Sequence, residues 1–352
     1  MIVAKKASNK NLLKARSASK TSNKNLHKAS AAKNDEFYTQ LSDIENELMH
    51  YKKHFKKKVI FCNCDDPKES NFVKYFSMNF EHFEMKKLIA THYKDATLFT
   101  NDNPYKLEFT GDLNGNRNPD PEEFTTVMIG SGDFRSKECL TLLKSSNLVV
   151  TNPPFSLFRE YVEQLIKYKK KFLIIGNQNA VSYKEIFKLV MTNTIWLGVT
   201  KPKKFRVPEN NKKAVKDAKG MYWQSFGNIC WFTNLDVAQR HQELTLYRKY
   251  TKKEYPTYDN YKAIDVSKVL DIPIDYKGVM GVPVTFLDKY NPEQFEILGI
   301  TDRDIENQYR SKMYTKKDTP KYNDLNRRAA LKVNGKIVPV YARILIRHKQ
   351  WK

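Results

Sequence analysis

The stretch "NLVVTNPPFSLFREYVEQLIKYKK", residues 147–170, reads as a strand, a break and a helix in direct succession. Residues 148–151 form an apolar, β-branched run of the kind that is buried on both faces of a sheet. Leu157, Phe158, Tyr161, Val162, Leu165 and Ile166 then recur at helical spacing. Asn152, Pro153, Pro154 and Phe155 stand between the two elements. Proline has a fixed φ and no N–H, so this connection is stiff and presents carbonyl oxygens with no local donors beside them.

Working outward, six further strand-like runs are predicted: 58–63, 86–91, 126–130, 171–176, 194–199 and 228–233. With helical patterns between several of them, the chain is α/β, a doubly wound, mostly parallel sheet of seven strands. Ligands in such sheets bind beyond the carboxyl ends of the strands, where 152–155 falls. The Asn152 amide oxygen and the Pro153 carbonyl make two convergent acceptors, and Phe155 adds an aromatic face. That set suits a planar ring bearing an NH₂ group, such as adenine. Accepting from both amino hydrogens localises the nitrogen lone pair, which is catalysis by positioning and charge stabilisation with no covalent intermediate. The competing reading is that Pro-Pro only terminates the strand.

The chain has 352 residues with 62 Lys and Arg against 39 Asp and Glu, a formal charge of +23. Such an excess points to a polyanionic partner, nucleic acid before membrane. No apolar run is long enough to span a bilayer and no secretory signal pattern is present, so the expectation is a cytoplasmic protein. The spacing of Cys62, Cys64, Cys139 and Cys230 does not match a zinc knuckle, so reduced thiols and no metal are expected.

Residues 1–34 carry nine basic residues and no acidic one, and "SNKNLLKARSAS" at 8–19 is echoed by "SNKNLHKASAAK" at 22–33. A flexible basic arm results, with Lys10, Lys14, Lys24 and Lys28 available for phosphates; a solvated leader is the alternative. Residues 35–234 form the predicted catalytic domain. Within it, 95–125 reads as a surface insertion, and 200–220, with eight basic and two acidic residues, reads as a loop aimed at something negative. Lys201, Lys203, Lys204 and Arg206 are its candidate DNA contacts, with Arg206 the one placed to read a guanine. Residues 235–352 make a second, smaller region, in which Asn334-Gly335 marks a hairpin turn.

The NPPF motif resembles that of amino-group, S-adenosylmethionine-dependent methyltransferases. "KNDEFYTQLSDIENEL", "CNCDDP", "GDFRS", "VVTNPPFSLF", "YDNYKAIDV", "DYKGVMGVP" and "NPEQFEIL", in that order, resemble the EcoRI-type adenine-N6 DNA methyltransferases. The resemblance implies a Rossmann-like class I methyltransferase fold with a C-terminal DNA-recognition region. It implies S-adenosylmethionine as cofactor, with Phe37, Tyr38 and Thr39 covering it and Cys62, Asn63, Cys64, Asp65 and Asp66 passing its methionine part. It places Asp133 as acceptor for the cofactor's adenine and Phe134 against that ring. It makes Asn152, Pro153, Pro154 and Phe155 the catalytic turn for a flipped adenine, and Trp231 and Phe232 a second stacking face. Two features depart from methyltransferases at large. The turn after the first strand has no glycine, and the second strand, "KKLIATHY", lacks the acidic residue that holds ribose, with only Asp95 at a distance.

The reading is therefore a site-specific adenine-N6 methyltransferase that acts on double-stranded DNA in restriction-modification or as an orphan enzyme. It acts as a monomer, and a restriction endonuclease shares its site in the first case. Extending the resemblance to specificity gives GAATTC, methylated at the second adenine. An RNA adenine methyltransferase and a non-catalytic DNA-binding protein that keeps the fold are the alternatives.

Overall fold

The structure is a computed structural model that describes residues 38–93, 104–111, 125–128, 130–207, 209, 211, 213–302, 305 and 307–351. The basic arm with Lys10, Lys14, Lys24 and Lys28, and Phe37, lie outside the described residues, as does most of 95–125. In chain order the elements are β1 (Tyr38–Thr39), α1 (Leu41–Leu48), β2 (Val59–Cys62), α2 (Asn71–Met78), β3 (Lys87–Thr91), β4 (Tyr105–Phe109) and β5 (Thr125–Val127). Then come α3 (Lys137–Ser145), β6 (Leu148–Thr151), α4 (Phe158–Lys167), β7 (Lys171–Asn177), α5 (Lys184–Met191) and β8 (Trp196–Leu197). They are followed by β9 (Lys204–Arg206), β10 (Val215–Lys216), β11 (Tyr222–Ser225), β12 (Ile229–Thr233), β13 (Ile264–Asp265), β14 (Met280–Pro283) and β15 (Phe295–Ile300). The chain closes with α6 (Tyr322–Leu325), β16 (Ala330–Val333), β17 (Lys336–Pro339) and β18 (Arg343–His348).

The central sheet has the order β5-β4-β3-β2-β6-β7-β12-β8. Its four middle strands, β3, β2, β6 and β7, are parallel. Every other pairing is antiparallel, so the sheet is mixed and eight-stranded rather than mostly parallel and seven-stranded. The unanticipated strand is β4, which lies inside the segment read as a surface insertion. In "YKLEF" only Leu107 and Phe109 turn into the core, too short an alternation to stand out in sequence. Its outward Glu108 is braced by Lys87 at 2.8 Å and Lys106 at 3.0 Å.

Helices cover both faces. Ile44 and Leu48 of α1 and Phe72, Val73 and Phe76 of α2 share one apolar core with Ile60, Val150 and Trp231. On the opposite face Leu143 of α3, Tyr161 and Leu165 of α4, and Phe187 of α5 pack with Phe61, Val149 and Phe172. Ile264, Met280, Phe295 and Ile346 belong to that same cluster, so the second sheet, β13-β14-β18-β15, is packed onto the first.

The 200–220 segment is not a loop. β9, β11 and β10 form a small antiparallel sheet that β1 completes through Tyr38↔Arg206 and Thr39↔Phe205. Strands of two to four residues with Phe205 alone fully buried show no sequence period. The hairpin β16–β17 turns at Asn334 and Gly335, with φ of 49° and 76°, the left-handed pair that a two-residue hairpin turn requires.

Candidate active site

The carboxyl ends of β2, β3 and β6 meet, and hydroxyl groups stitch them together. Thr91, closing β3, donates to the Asn63 carbonyl at 3.2 Å. Thr151, closing β6, accepts the Cys64 N–H at 3.2 Å and donates its own proton to Asp65. Ser70 donates to the second Asp65 oxygen at 2.8 Å and caps α2 by accepting the Phe72 N–H at 3.0 Å. No residue from 62 to 70 has positive φ. The turn therefore needs no glycine: side-chain acceptors set its course where left-handed backbone would otherwise do so.

Two neighbouring carboxylates in this turn are driven apart. Burial pushes Asp65 up, to about 6, against hydrogen bonds from Thr151, Ser70 and the Asn152 backbone N–H. Asp66 is also partly buried, but hydrogen bonds from His92 at 3.1 Å and Tyr105 at 2.5 Å outweigh that and hold it down at about 2. His92 stacks on Tyr105 with ring centroids 4.8 Å apart. Sequence reasoning missed this group because Tyr105 falls in the segment read as an insertion.

Asn152 follows β6 directly, with its amide oxygen shut off from solvent. Pro153 is buried, and Phe155 is half-buried against the core beneath. The Leu157 N–H donates to the Pro154 carbonyl at 3.0 Å and closes a short turn that leads into α4. From α4, Tyr161 reaches back and donates its hydroxyl to the Asn63 amide oxygen. The Asn63 amide nitrogen, in a residue 1% exposed, has no acceptor among the described residues. A buried donor left over is costly, and an acceptor on a ligand satisfies it. Tyr161 was legible in sequence only as a core position of a helix.

The 130–136 segment runs tightly against the end of β3. Gly132 has φ of 72°, and a Cβ there would lie 2.0 Å from the His92 carbonyl oxygen. Asp133 does not stand open: Arg135 grips it, Nη2 to Oδ2 at 2.7 Å and Nε to Oδ1 at 2.9 Å. Burial would raise its carboxyl, and the bonds from Arg135 outweigh burial and lower it. Phe134 is buried edge-on against Tyr161 at 5.1 Å, with the Arg135 guanidinium over its ring, so it offers no open face.

Trp231 and Phe232 do not form a stacking face for a base. Both are fully buried, on opposite sides of the sheet, Trp231 against Phe72 and Phe232 against Phe158. Alternation along a fully covered strand sends each neighbour into one of the two cores. Lys201 is partly exposed and paired with Asp288 at 2.6 Å and Gln178 at 3.2 Å. Lys203 and Lys204 are exposed, and Arg206 lies 3.7 Å from Glu69.

Thr39 is brought next to the site, its carbonyl accepting the Asn71 amide at 2.8 Å. A residue that sequence reasoning passed over holds this side together. The buried carboxylate of Glu47 accepts from the Val199 N–H at 2.9 Å, the Thr200 N–H at 2.6 Å, the Thr200 hydroxyl at 2.7 Å and the Tyr51 hydroxyl at 2.9 Å. It fixes the segment that leads into β9. Among the described residues, no group of three or more His, Cys, Asp or Glu could hold a metal ion, and no helix is long and apolar enough to cross a membrane.

The profile of the family described as "Adenine-specific methyltransferase EcoRI" matches residues 25–349. The chain belongs to this family. As an adenine-specific methyltransferase of the EcoRI type it has curated relatives along nearly their full lengths. It is 50% identical to the Type II methyltransferase M.EcoRI of Escherichia coli, over 86% of this chain and 94% of that one. It is 38% identical to the Type II methyltransferase M.MgeORF184P of Mycoplasma genitalium, over 91% and 97%. It is 41% identical to the Type II methyltransferase M.MpnI of Mycoplasma pneumoniae, over 76% and 82%. No solved structure matches this methyltransferase.

Proposed function

We propose that this methyltransferase methylates the N6 amino group of an adenine extruded from double-stranded DNA, with S-adenosylmethionine as donor. The observation that carries the reading is the position of Asn152–Phe155 at the carboxyl end of β6, hydrogen-bonded through Thr151 and the Asn152 N–H to the turn after β2. The Asn-Pro-Pro-Phe turn thus stands beside a polar turn at the carboxyl ends of parallel strands, where the ligands of open α/β sheets bind, and this supports reading Asn152 and Pro153 as its acceptors.

The residues fit the cofactor at one testable point. The orphaned Asn63 amide nitrogen would donate to its carboxylate, with Cys64 and Asp65 along the same turn and Thr39 alongside, whereas Cys62 closes β2 and is fully buried in the core. When bound, S-adenosylmethionine supplies a methyl group on a positively charged sulfur. The protein does the rest. For the base to be met, the Asn152 amide turns its buried oxygen outward; Oδ1 and the Pro153 carbonyl then accept the two amino hydrogens and make the lone pair available. Pro154 keeps the pair rigid, and Phe155 lies against the ring. The amino nitrogen's lone pair forms the new N–C bond as the methyl–sulfur bond breaks with its electron pair left on sulfur, which becomes neutral, and the nitrogen gives up one proton to solvent.

Supporting the DNA partner are the +23 charge and the exposed lysines of the small basic sheet. On the same reading, 235–352 recognises the target and the enzyme acts as a monomer in the cytoplasm. The 50% identity to M.EcoRI supports GAATTC, methylated at the second adenine, with a restriction endonuclease sharing that site.

The test is transfer of labelled methyl from S-adenosylmethionine to duplex DNA, followed by nucleoside analysis. N6-methyladenine that disappears in Asn152→Ala is expected; N4-methylcytosine, or transfer that survives in the variant, overturns the proposal.

A further inference from the structure

The outward face of the small sheet carries chemistry that methyl transfer does not use. In register, Arg206 stands opposite Trp223 and Trp223 opposite Val215, with Lys204 opposite Ser225 in the next row. Side chains alternate along strands, so Lys204, Arg206, Trp223 and Val215 share one face while Phe205 points the other way into the core. Val215 is 71% exposed, and Lys204 and Lys213 are exposed beside it. They line a groove of about 460 Å³ together with Lys216 and Trp223.

The indole in this groove is held in place. Its Nε1–H donates to Asp217 Oδ2 at 2.6 Å, and the Lys204 ammonium lies 4.8 Å from the ring centroid. Asp217 is the acidic residue of the groove, and its other oxygen accepts the Lys219 and Met221 N–H groups at 2.9 Å each. Its charge is thus committed to its own turn, which leaves the groove basic. A fixed aromatic ring rimmed by lysines matches a polyanion that also carries flat rings, which is a nucleic acid strand with an unstacked base.

We propose that this groove is a second nucleotide site, in which Lys204 and Lys213 take backbone phosphates and Trp223 stacks with an unstacked base of the DNA near the target. The inference rests on the DNA-adenine reading above: extruding one adenine breaks stacking with its neighbours, and an aromatic platform compensates. The groove is mechanically tied to the catalytic turn. β9 pairs with Thr39, the Gln40 amide donates to the Lys204 carbonyl at 3.0 Å, and Asn71 of α2 holds Thr39.

The test measures binding of a fluorescent duplex carrying the methylation site across a series of salt concentrations. Trp223→Ala is expected to weaken binding about tenfold or more, with Trp223→Phe restoring most of it. Lys204→Gln with Lys213→Gln is expected to reduce the logarithmic salt slope by about two. Binding of S-adenosylmethionine, followed by calorimetry, should stay unchanged in all three. Wild-type affinity in Trp223→Ala, or a wild-type salt slope in the double variant, overturns the proposal. If Trp223→Ala also loses the cofactor, its fold is damaged, and Trp223→Phe and the lysine variant decide. Identifying the base methylated by the wild-type protein separates the two readings. N6-methyladenine with an unmoved salt slope rejects the groove alone, whereas absence of N6-methyladenine rejects the catalytic reading.

Discussion

The Thr151 hydroxyl donates to the buried carboxylate of Asp65 and so joins the strand that leads into Asn152 to the turn after β2. Asp65 is raised to about 6 from the ordinary 3.8, chiefly by burial, so the folded chain holds this proton more tightly than the unfolded one. The stability it contributes is full below about pH 4 and is lost as pH rises through 6, roughly 3 kcal/mol by neutral pH. Asp65→Asn removes that pH-dependent loss. The Tm of the variant relative to wild type should therefore climb between about pH 4 and pH 7 and level off above that. Its turnover should fall roughly 10- to 100-fold, because an amide donates where the carboxylate accepted. A Tm difference that is flat with pH would count against this role.

Tyr161→Phe takes the donor away from the buried Asn63 amide oxygen. The expected cost is about 1–3 kcal/mol in urea unfolding. Binding of S-adenosylmethionine should weaken by roughly 3- to 10-fold as the Asn63 amide loses its fixed orientation. Calorimetry on the same preparation reads both effects apart.

Gly132→Ala places a methyl group 2.0 Å from the His92 carbonyl, at a φ that disfavours any side chain. The 130–136 segment must move away from the end of β3. A loss of at least about 1 kcal/mol in stability is expected, with weakened cofactor binding, and an unchanged Tm would argue that the close approach is dispensable.

Glu47→Ala leaves the Val199 and Thr200 N–H groups and two hydroxyls without their shared acceptor. A destabilisation of about 3 kcal/mol or more is expected, with Glu47→Gln recovering part of it. Because the anchored segment leads into β9, duplex affinity should drop further than cofactor affinity.

The strands that carry the candidate site were legible because they are buried on both faces and read as plain apolar runs. β6 and its Asn-Pro-Pro-Phe turn, and α4 after it, stand where their patterns put them. What escaped was short or tertiary in origin. β4 has only two inward residues, and β9 to β11 are too brief to show a period. The burial of Trp231 and Phe232 depends on layers from distant parts of the chain covering both faces of β12. Asp66, His92 and Tyr105 come from three separate segments, and no local spacing announces their meeting.

The turn at 62–70 bends without glycine because Asp65, Ser70 and Thr151 hold it by their side chains. Turns of this kind are invisible to any search keyed on glycine spacing. An aspartate after the first buried strand, a serine five residues on, and a threonine just ahead of Asn-Pro-Pro form the pattern by which chains built the same way can be found. Because those hydroxyls and carboxylates are ordinary residues in ordinary backbone conformations, such a turn can arise by side-chain substitution alone, with no change in loop length.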